Sequence, residues 1–557
     1  MKTMQTKQAD RQVDKQADRK RSKVRSKKNI NMSNRAWAVS ALLLAVLFAL
    51  AACGGGGPAA TQTSAEAAQA ATEAVVAGTK ASAAQADDAG DSGEIVELIW
   101  LMGDPGNIPP DQAIVEEELN KLSEASVGVR VRTIYYKDDA IKLALSAGED
   151  WDIAFTCEWY NNYAVQAAAG YFLDITDKVK SVTPELYATM PEVVWDGTKV
   201  KGKIYAIPVK KDYAAEMFGM FDKALYEDLG MDIPSRMGFG DLEKYLEAAK
   251  NAYNDGNPLA KGEYPAGSTS KGGFAGPYSD YDMINRDIMI GIPYSAIGAA
   301  NETKVVFVPN DKEAYDYLVM MHRWYNEGYI PPDAMTVDSL PPTTWYAVAS
   351  GQGFYGADAI WSGNVGYPVA ISRFSGPYLS TASIRGSMNA INAKSKNVDL
   401  ALKYQEFVNT NQEYRDILRY GIPGTHWNKT AEGLAQRTDQ GRTGYTPWAF
   451  SQGSYSLSSV EAAEGVDVDP NMWNVIFDGY SEAKATKTIG FSFDPVNVET
   501  ELAACSAAWT KFVDGFATGT LNPETDMPKV LAELNAGGLQ KIIDECQAQL
   551  DDFIAGS

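Results

Sequence analysis

Apolar positions follow three different patterns along the chain. Residues 36–52 form one apolar run broken only by Ser40. Residues 54–93 show no period and contain no aromatic residue. From Ile95 onward, short alternating blocks trade places with stretches of helical period. Residues 95–101 (IVELIWL) read as a strand that ends in the loop 103–107. The spacing predicts a helix over 111–125 with Ile114, Val115, Leu119 and Leu122 on one face. A strand follows in which Val129, Val131 and Thr133 alternate, then a helix over 138–147 and the strand 153–155. Strand, helix, strand, helix, strand specifies a parallel sheet covered by helices. Ligands of such sheets bind beyond the carboxyl ends of the strands, which brings loops 103–107 and 156–163 (TCEWYNNY) to one rim.

The pattern then restarts. Residues 202–208 are an extended segment closed by Pro208, residues 218–221 are apolar, residues 226–230 close a turn, and residues 239–253 form a long amphipathic helix. A second α/β unit therefore begins near Val209. At the far end, residues 527–553 place Val530, Leu531, Leu534, Leu539, Ile542, Ile543 and Leu550 at helical spacing, as one helical cover packed on a lobe.

The apolar run is shorter than the roughly 20 residues that a membrane-spanning helix needs. A basic leader with 12 Lys and Arg against 3 Asp precedes or flanks it within residues 1–52, and Leu50-Ala51-Ala52-Cys53 followed by glycines closes it. This resembles a bacterial lipoprotein signal, which implies that Cys53 carries the lipid. Residues 1–52 are then leader and signal, with Met32 an alternative start, and 53–93 a flexible tether. The formal net charge of −22 rises in magnitude once the basic leader is set aside. Such a surface repels nucleic acid and anionic headgroups, so membrane attachment rests on the anchor. The length requires more than one domain.

Catalytic chemistry has little to work with. His322 and His426 are the only histidines, which leaves few bases for a nucleophilic triad. No GxSxG, HExxH or P-loop pattern occurs. The acids suffice in number for a glycosidase pair, but their separation is not written in sequence. Cys157, Cys505 and Cys546 lack CxxC spacing, so structural zinc is not expected; at most one disulfide can form, and if there is one its pair is Cys505 with Cys546. Two acid-rich loops, at 467–478 and 254–263, depart from the calcium-loop spacing. The expectation is no enzyme, no metal and no cofactor.

Six short motifs in order carry a family resemblance: residues 146–153 (SAGEDWDI), 202–208 (GKIYAIP), 228–234 (DLGMDIP), 386–391 (GSMNAI) with the stretch after it, 420–427 (YGIPGTHW), and 490–495 (GFSFDP) with the tail to Phe553. Together they resemble the extracellular solute-binding lipoproteins of ABC importers, the sugar-binding group related to maltose-binding protein. Within it they are similar to a Gram-positive subfamily with an extra C-terminal domain of uncharacterised role. The resemblance implies an α/β periplasmic-binding-protein-like fold with two lobes, a ligand cleft, a hinge and a helical C-terminal segment. It puts 94–208 and 381–424 in the N-terminal lobe, and 209–380 and 425–557 in the C-terminal lobe with the added domain.

A sugar offers an apolar C–H face and a ring of hydroxyls, so its site needs aromatic platforms beside carboxylates and amides. Glu158, Trp159, Asn161 and Tyr163 supply both at the expected rim, and Asp104 lies in the first rim loop. Tyr278, Tyr281 and Asp282 form a second aromatic and acidic cluster. Trp427 and Trp448 lie near a lobe crossing, and Trp361 resembles the tryptophan that family members place on the second side of the cleft. The expected function is a monomeric, lipid-anchored receptor on the extracytoplasmic face of the cell membrane that captures an oligosaccharide by hinge closure and passes it to a membrane permease. An oligopeptide or other solute receptor and a surface glycan-cleaving enzyme are the alternatives.

Overall fold

The computed structural model describes residues 95–103, 108–269, 278–338, 344–463 and 466–556. The leader, Cys53, the tether and Asp104 lie outside the described residues.

The first lobe opens with β1 (Val96–Gly103), α1 (Gln112–Val127), β2 (Val129–Tyr136), α2 (Asp138–Ala147) and β3 (Ile153–Thr156). β1 pairs in parallel with β2 from Val96↔Val129 to Gly103↔Tyr136, and with β3 at Trp100↔Ile153. The buried face of α1 carries Val115, Leu119, Asn120 and Ser123, while Ile114 stays exposed. Val115, Leu119 and Leu122 of the expected face pack on the core, and Asn120 and Ser123 join them. Asn120 turns inward because its amide accepts from Val131 N (2.8 Å) and donates to Val131 O (3.0 Å), fastening the helix to β2. After four short helices, β4 (Ala206–Pro208) leads out of the lobe.

The second lobe is built on β5 (Ala215–Asp222), followed by α3 (Leu242–Asn254), β6 (Tyr281–Asn285), β7 (Ile290–Pro293), β8 (Val306–Phe307), α4 (Lys312–Asn326), β9 (Val348–Gln352), α5 (Ala357–Val365) and β10 (Val369–Leu379). The chain then returns to the first lobe through β11 (Met388–Ile391), α6 (Val398–Thr410), α7 (Gln412–Tyr420) and α8 (Met472–Gly479). Finally β12 (Lys484–Ala485), α9 (Glu499–Trp509), α10 (Pro523–Gly537) and α11 (Leu539–Ala555) form the C-terminal region.

The first sheet has the order β2-β1-β3-β11-β4, the second β9-β5-β10-β12, and β8-β7-β6 form a smaller third sheet. The GSMNAI motif is the return strand β11, antiparallel to both β3 and β4 and fully buried. Its Asn389 accepts from the Trp100 indole (3.0 Å) and donates to Ser451 O (3.0 Å), so a polar residue at the centre of the sheet is satisfied on both sides.

Two features depart from the sequence expectation, and the open question of the cysteine pair is answered. Residues 425–480 were expected in the second lobe, yet Leu434, Tyr445, Val460, Met472, Trp473 and Tyr480 join the first lobe's core. The tail cover is two helices, because Gly538 adopts φ 98° and closes α10. A Cβ there would stand 2.6 Å from Glu501, so only glycine turns the chain at this point. Cys505 and Cys546 are both buried thiols without a disulfide.

Asp152 locks the first sheet to the turn after β11. Its carboxylate accepts from Ile99 N (3.0 Å), Ser395 Oγ (2.6 Å) and Asn397 Nδ2 (3.3 Å). Asp152→Ala strands these donors and should destabilise the fold by about 2–3 kcal/mol, read as a lower urea midpoint with an unchanged slope.

Candidate functional site

Three passages of chain join the lobes, between β4 and β5, between β10 and β11, and between α8 and β12. A cavity of about 600 Å³ lies beside the first two, touching Lys211 in one and Ser380, Ser383 and Gly386 in the other. On the first-lobe side it is walled by Glu158 and Trp159 from the loop after β3, and by Phe450. That loop is tightly determined. Asn161 sits in the left-handed region (φ 46°), its amide donates to Phe155 O (3.0 Å), and Cys157 N and Tyr160 O close a turn (3.0 Å). The Trp159 indole donates to Gly386 O (2.9 Å), and Glu158 N donates to Arg385 O (3.3 Å).

Trp159 remains 52 % exposed. Its ring meets Trp448 edge-on at 5.5 Å and Phe450 at 6.4 Å, with Phe155 at 6.1 Å. Trp448 in turn crowds Gly103, where a Cβ would lie 2.6 Å from the indole, so β1 needs glycine at its end for the platform to seat. Aromatic groups that meet edge to face hold one another's orientation.

Glu158 is paired with Arg385 (3.0 Å), a guanidinium only 1 % exposed. Arg385 also donates to Gly197 O (2.8 Å), Lys199 O (2.6 Å) and Ser492 Oγ (2.8 Å). Across the cavity stand Tyr278, Tyr281 and Tyr294. The Tyr281 hydroxyl donates to Asp311 (2.6 Å), and Tyr294 stacks on Tyr378 at 4.1 Å. The Tyr278 hydroxyl is buried and has no partner among the described residues. Burial pushes its pKa well up, so it stays a neutral donor. Lys211, which pairs with Asp212 (2.9 Å), and Arg286, Gln352, Ser279, Ser380 and Ser383 add to the polar lining. A second cavity of about 580 Å³ lies between α5 and α8, walled by the Glu216–Arg373 pair (2.7 Å), Tyr355, Asp358 and Tyr480.

The chain is 28% identical over 453 residues to a carbohydrate ABC transporter substrate-binding protein of Streptococcus pneumoniae, covering 78% of this chain and 87% of that one. The chain is related to the substrate-binding proteins of carbohydrate ABC transporters. Its fold matches the N-glycan transport solute binding protein of Streptococcus pneumoniae with a TM-score of 0.70 at 22% identity, over 83% of this chain and 99% of that one. It also matches a solute-binding protein of Bifidobacterium longum infantis described as HMO binding and ABC-transporter associated, at a TM-score of 0.53 and 15% identity, over 83% and 100%. Residues 487–555 match a domain family described as a domain of unknown function (DUF3502). The relatives are transport proteins, not enzymes.

In this substrate-binding fold, the structure brings Glu158, Trp159, Tyr278 and Tyr281 to one cavity, with Trp448 directly behind the platform. Other expected ligand residues are placed elsewhere. Tyr163 is in the core, its hydroxyl donating to Thr198 O (2.7 Å) and accepting from Tyr205 N (2.9 Å). Asn161 is spent on its own loop. Trp427 is buried against Tyr420, and its indole donates to Gly421 O (2.9 Å). Trp361 packs beside Gly353 and Phe218 in a small cluster with Met220 and Val369. Asp282 is buried on β6 and accepts from Thr488 beside a smaller cavity of about 260 Å³. The residues missed are Arg286, Tyr294, Gln352 and Phe450, and above all Arg385. Arg385 alone carries a positional signal, in the passage that precedes β11; the others are scattered along the chain.

Neither histidine reaches the cavity. His322 donates through Nδ1 to Gly519 O (2.8 Å), and His426 accepts from Ile422 N (2.9 Å), so its Nε2–H faces Asp111 (3.1 Å). Among the described residues no cluster of three or more His, Cys, Asp or Glu is arranged to hold a metal.

Burial raises the Asp282 carboxyl above the usual carboxylate value, only partly opposed by Thr488, Thr486, Ser380 and the Arg286 charge. With the folded pKa above the unfolded one, the native state holds more protons across that window. Stability contributed by Asp282 is therefore present at low pH and is lost as pH rises through the folded pKa. Urea titrations should show Asp282→Asn gaining on the wild type as pH rises from about 4 toward neutrality; a gap independent of pH would contradict this.

Proposed function

We propose that the chain is a lipid-anchored, extracytoplasmic receptor that captures an oligosaccharide between its lobes and hands it to an ABC permease. The observation that carries this reading is the half-exposed Trp159 ring, held by Gly386, Trp448 and Phe450 and facing a wall of tyrosines across the cavity. An apolar sugar face covers such a ring, while Gln352 and Glu158 meet its hydroxyls. Relatives point the same way: the pneumococcal N-glycan transport protein is described in complex with Man1GlcNAc and with Man5GlcNAc. Binding without bond breaking is favoured because Glu158 is the one carboxylate among the described residues of this wall, and glycoside hydrolysis needs two. The chain's own task is therefore recognition. Hinge closure around the ligand is the established motion of such two-lobe receptors.

Among the described residues no helix is long and apolar enough to cross a membrane, and attachment is assigned to Cys53. Cys53→Ser in the producing bacterium should move the protein from the membrane fraction to the soluble one, and mass spectrometry of the wild type should show acylation at Cys53. Unchanged membrane retention of the variant would refute the anchor.

Thermal shift against a panel of mannose–N-acetylglucosamine oligosaccharides, other oligosaccharides and peptides tests the ligand class. A ligand specific to the native state adds about 2.7 kcal/mol at a hundredfold excess over Kd. A sugar should raise the midpoint without being degraded, and Trp159→Ala should weaken its binding about tenfold or more, ~1.4 kcal/mol. Stabilisation by peptides alone would overturn the carbohydrate reading.

A further inference from the structure

We propose that the C-terminal region works as a strap across the hinge: its body is part of the second lobe, and Ser492 and Lys201-bound Asp494 fasten it to the first, limiting how widely the lobes swing apart.

The body comes first. Cys505, Trp509, Val530, Leu534, Ile542 and Leu550 form one apolar core with the strands β6 to β8. The region therefore moves with the second lobe. Its leading segment is fixed to that lobe as well. β12 extends the second sheet beside Tyr378 and Leu379. Lys487 pairs with Glu302 (2.6 Å), and Thr488 donates to the buried Asp282. The segment next grips the return passage, where Thr381 Oγ1 donates to Thr488 O (2.7 Å) and accepts from Gly490 N (3.0 Å).

Two contacts then reach the first lobe. Arg385 Nη1 donates to Ser492 Oγ (2.8 Å), and Lys201 Nζ pairs with Asp494 (3.4 Å). Neither end is slack. Arg385 is held to Gly197 O and Lys199 O in the first lobe. Asp494 is clamped to the last helix by both of its backbone groups, N–H to Gln549 Oε1 (2.9 Å) and C=O from Gln549 Nε2 (2.8 Å). Rotation of one lobe against the other must lengthen these two contacts. The same Arg385 Nη1 donates to Glu158 (3.0 Å), so the strap also bears on the loop that presents Trp159.

A receptor that spends less time in binding-competent geometry has an apparent Kd raised by the inverse of that fraction. Releasing the strap should therefore widen the range of lobe separations in the ligand-free chain and weaken capture. The affinity arm rests on the oligosaccharide reading; the distance arm does not.

The test uses the full chain carrying Cys53→Ser and spin labels at Leu143→Cys on α2 and Tyr253→Cys on α3, both exposed. The native thiols of Cys157, Cys505 and Cys546 are buried and do not compete for label. Distances between the labels are measured by pulsed electron resonance without ligand. Ser492→Ala alone, and with Lys201→Met, should broaden the distribution toward longer distances, and the double variant should bind oligosaccharide about threefold to tenfold more weakly. Lys541→Met, which breaks an ion pair to Glu501 inside the tail body, should leave the distribution unchanged. A distribution unmoved in both strap variants, or broadened equally by Lys541→Met, overturns the proposal. If no oligosaccharide binds the wild type, the distances still decide the strap, and only the ligand reading falls.

Discussion

Everything around the cavity depends on one buried cation. The Arg385 guanidinium has left water, a loss that only a full set of partners makes tolerable. It meets Glu158, Ser492 and the carbonyls of Gly197 and Lys199 in the planar fork that distinguishes arginine from lysine. Because these partners come from the loop after β3, from the segment before Val200 and from the C-terminal region, none can shift without stranding a charge. The backbone adjoining Arg385 extends the same constraint, since Glu158 N and the Trp159 indole bond to the carbonyls of Arg385 and Gly386. The platform is positioned by electrostatics, and its ring contacts orient what those bonds have placed.

That arrangement explains how an indole more than half exposed stays in place. A free tryptophan on a loop would turn to bury itself. Here the indole N–H is engaged, Trp448 and Phe450 occupy the space into which the ring would fold, and Gly103 yields the room Trp448 needs. Exposed apolar area of this kind is held ready for a partner. The tyrosines opposite have their hydroxyls fixed or buried, so ligand capture orders few new side chains, and preorganisation of this sort lowers the entropic cost of binding.

Much of the first lobe was legible because its signals are local. The period-2 and period-3.6 stretches between Ile95 and Phe155 became β1 to β3 and two helices with boundaries shifted by a residue or two. What failed was direction. Trp427 and Tyr163 have the composition of ligand contacts, yet each is closed off by partners distant in sequence or by packing that no local pattern encodes. Asn120 turned inward beside the expected apolar face for the same reason, and residues 425–480 joined the first core because apolar spacing says that a segment is buried but not against what. Arg385 was overlooked because an arginine between Ile384 and Gly386 resembles any surface arginine until its four partners are assembled.

The tail follows the same logic of missing layers. β6, β7 and β8 are short strands whose buried face carries Tyr281, Met283, Ile290, Ile292 and Phe307. A small antiparallel sheet of this kind cannot stand without a second layer to bury that face. The layer is supplied from the end of the chain, by α9 to α11. Tyr281 thus belongs at once to the wall of the cavity and to the core shared with the tail. The region matched to a domain of unknown function is accordingly no appendage: without it the sheet that sets Tyr281 and Met283 in the cavity wall would lose about half of its core.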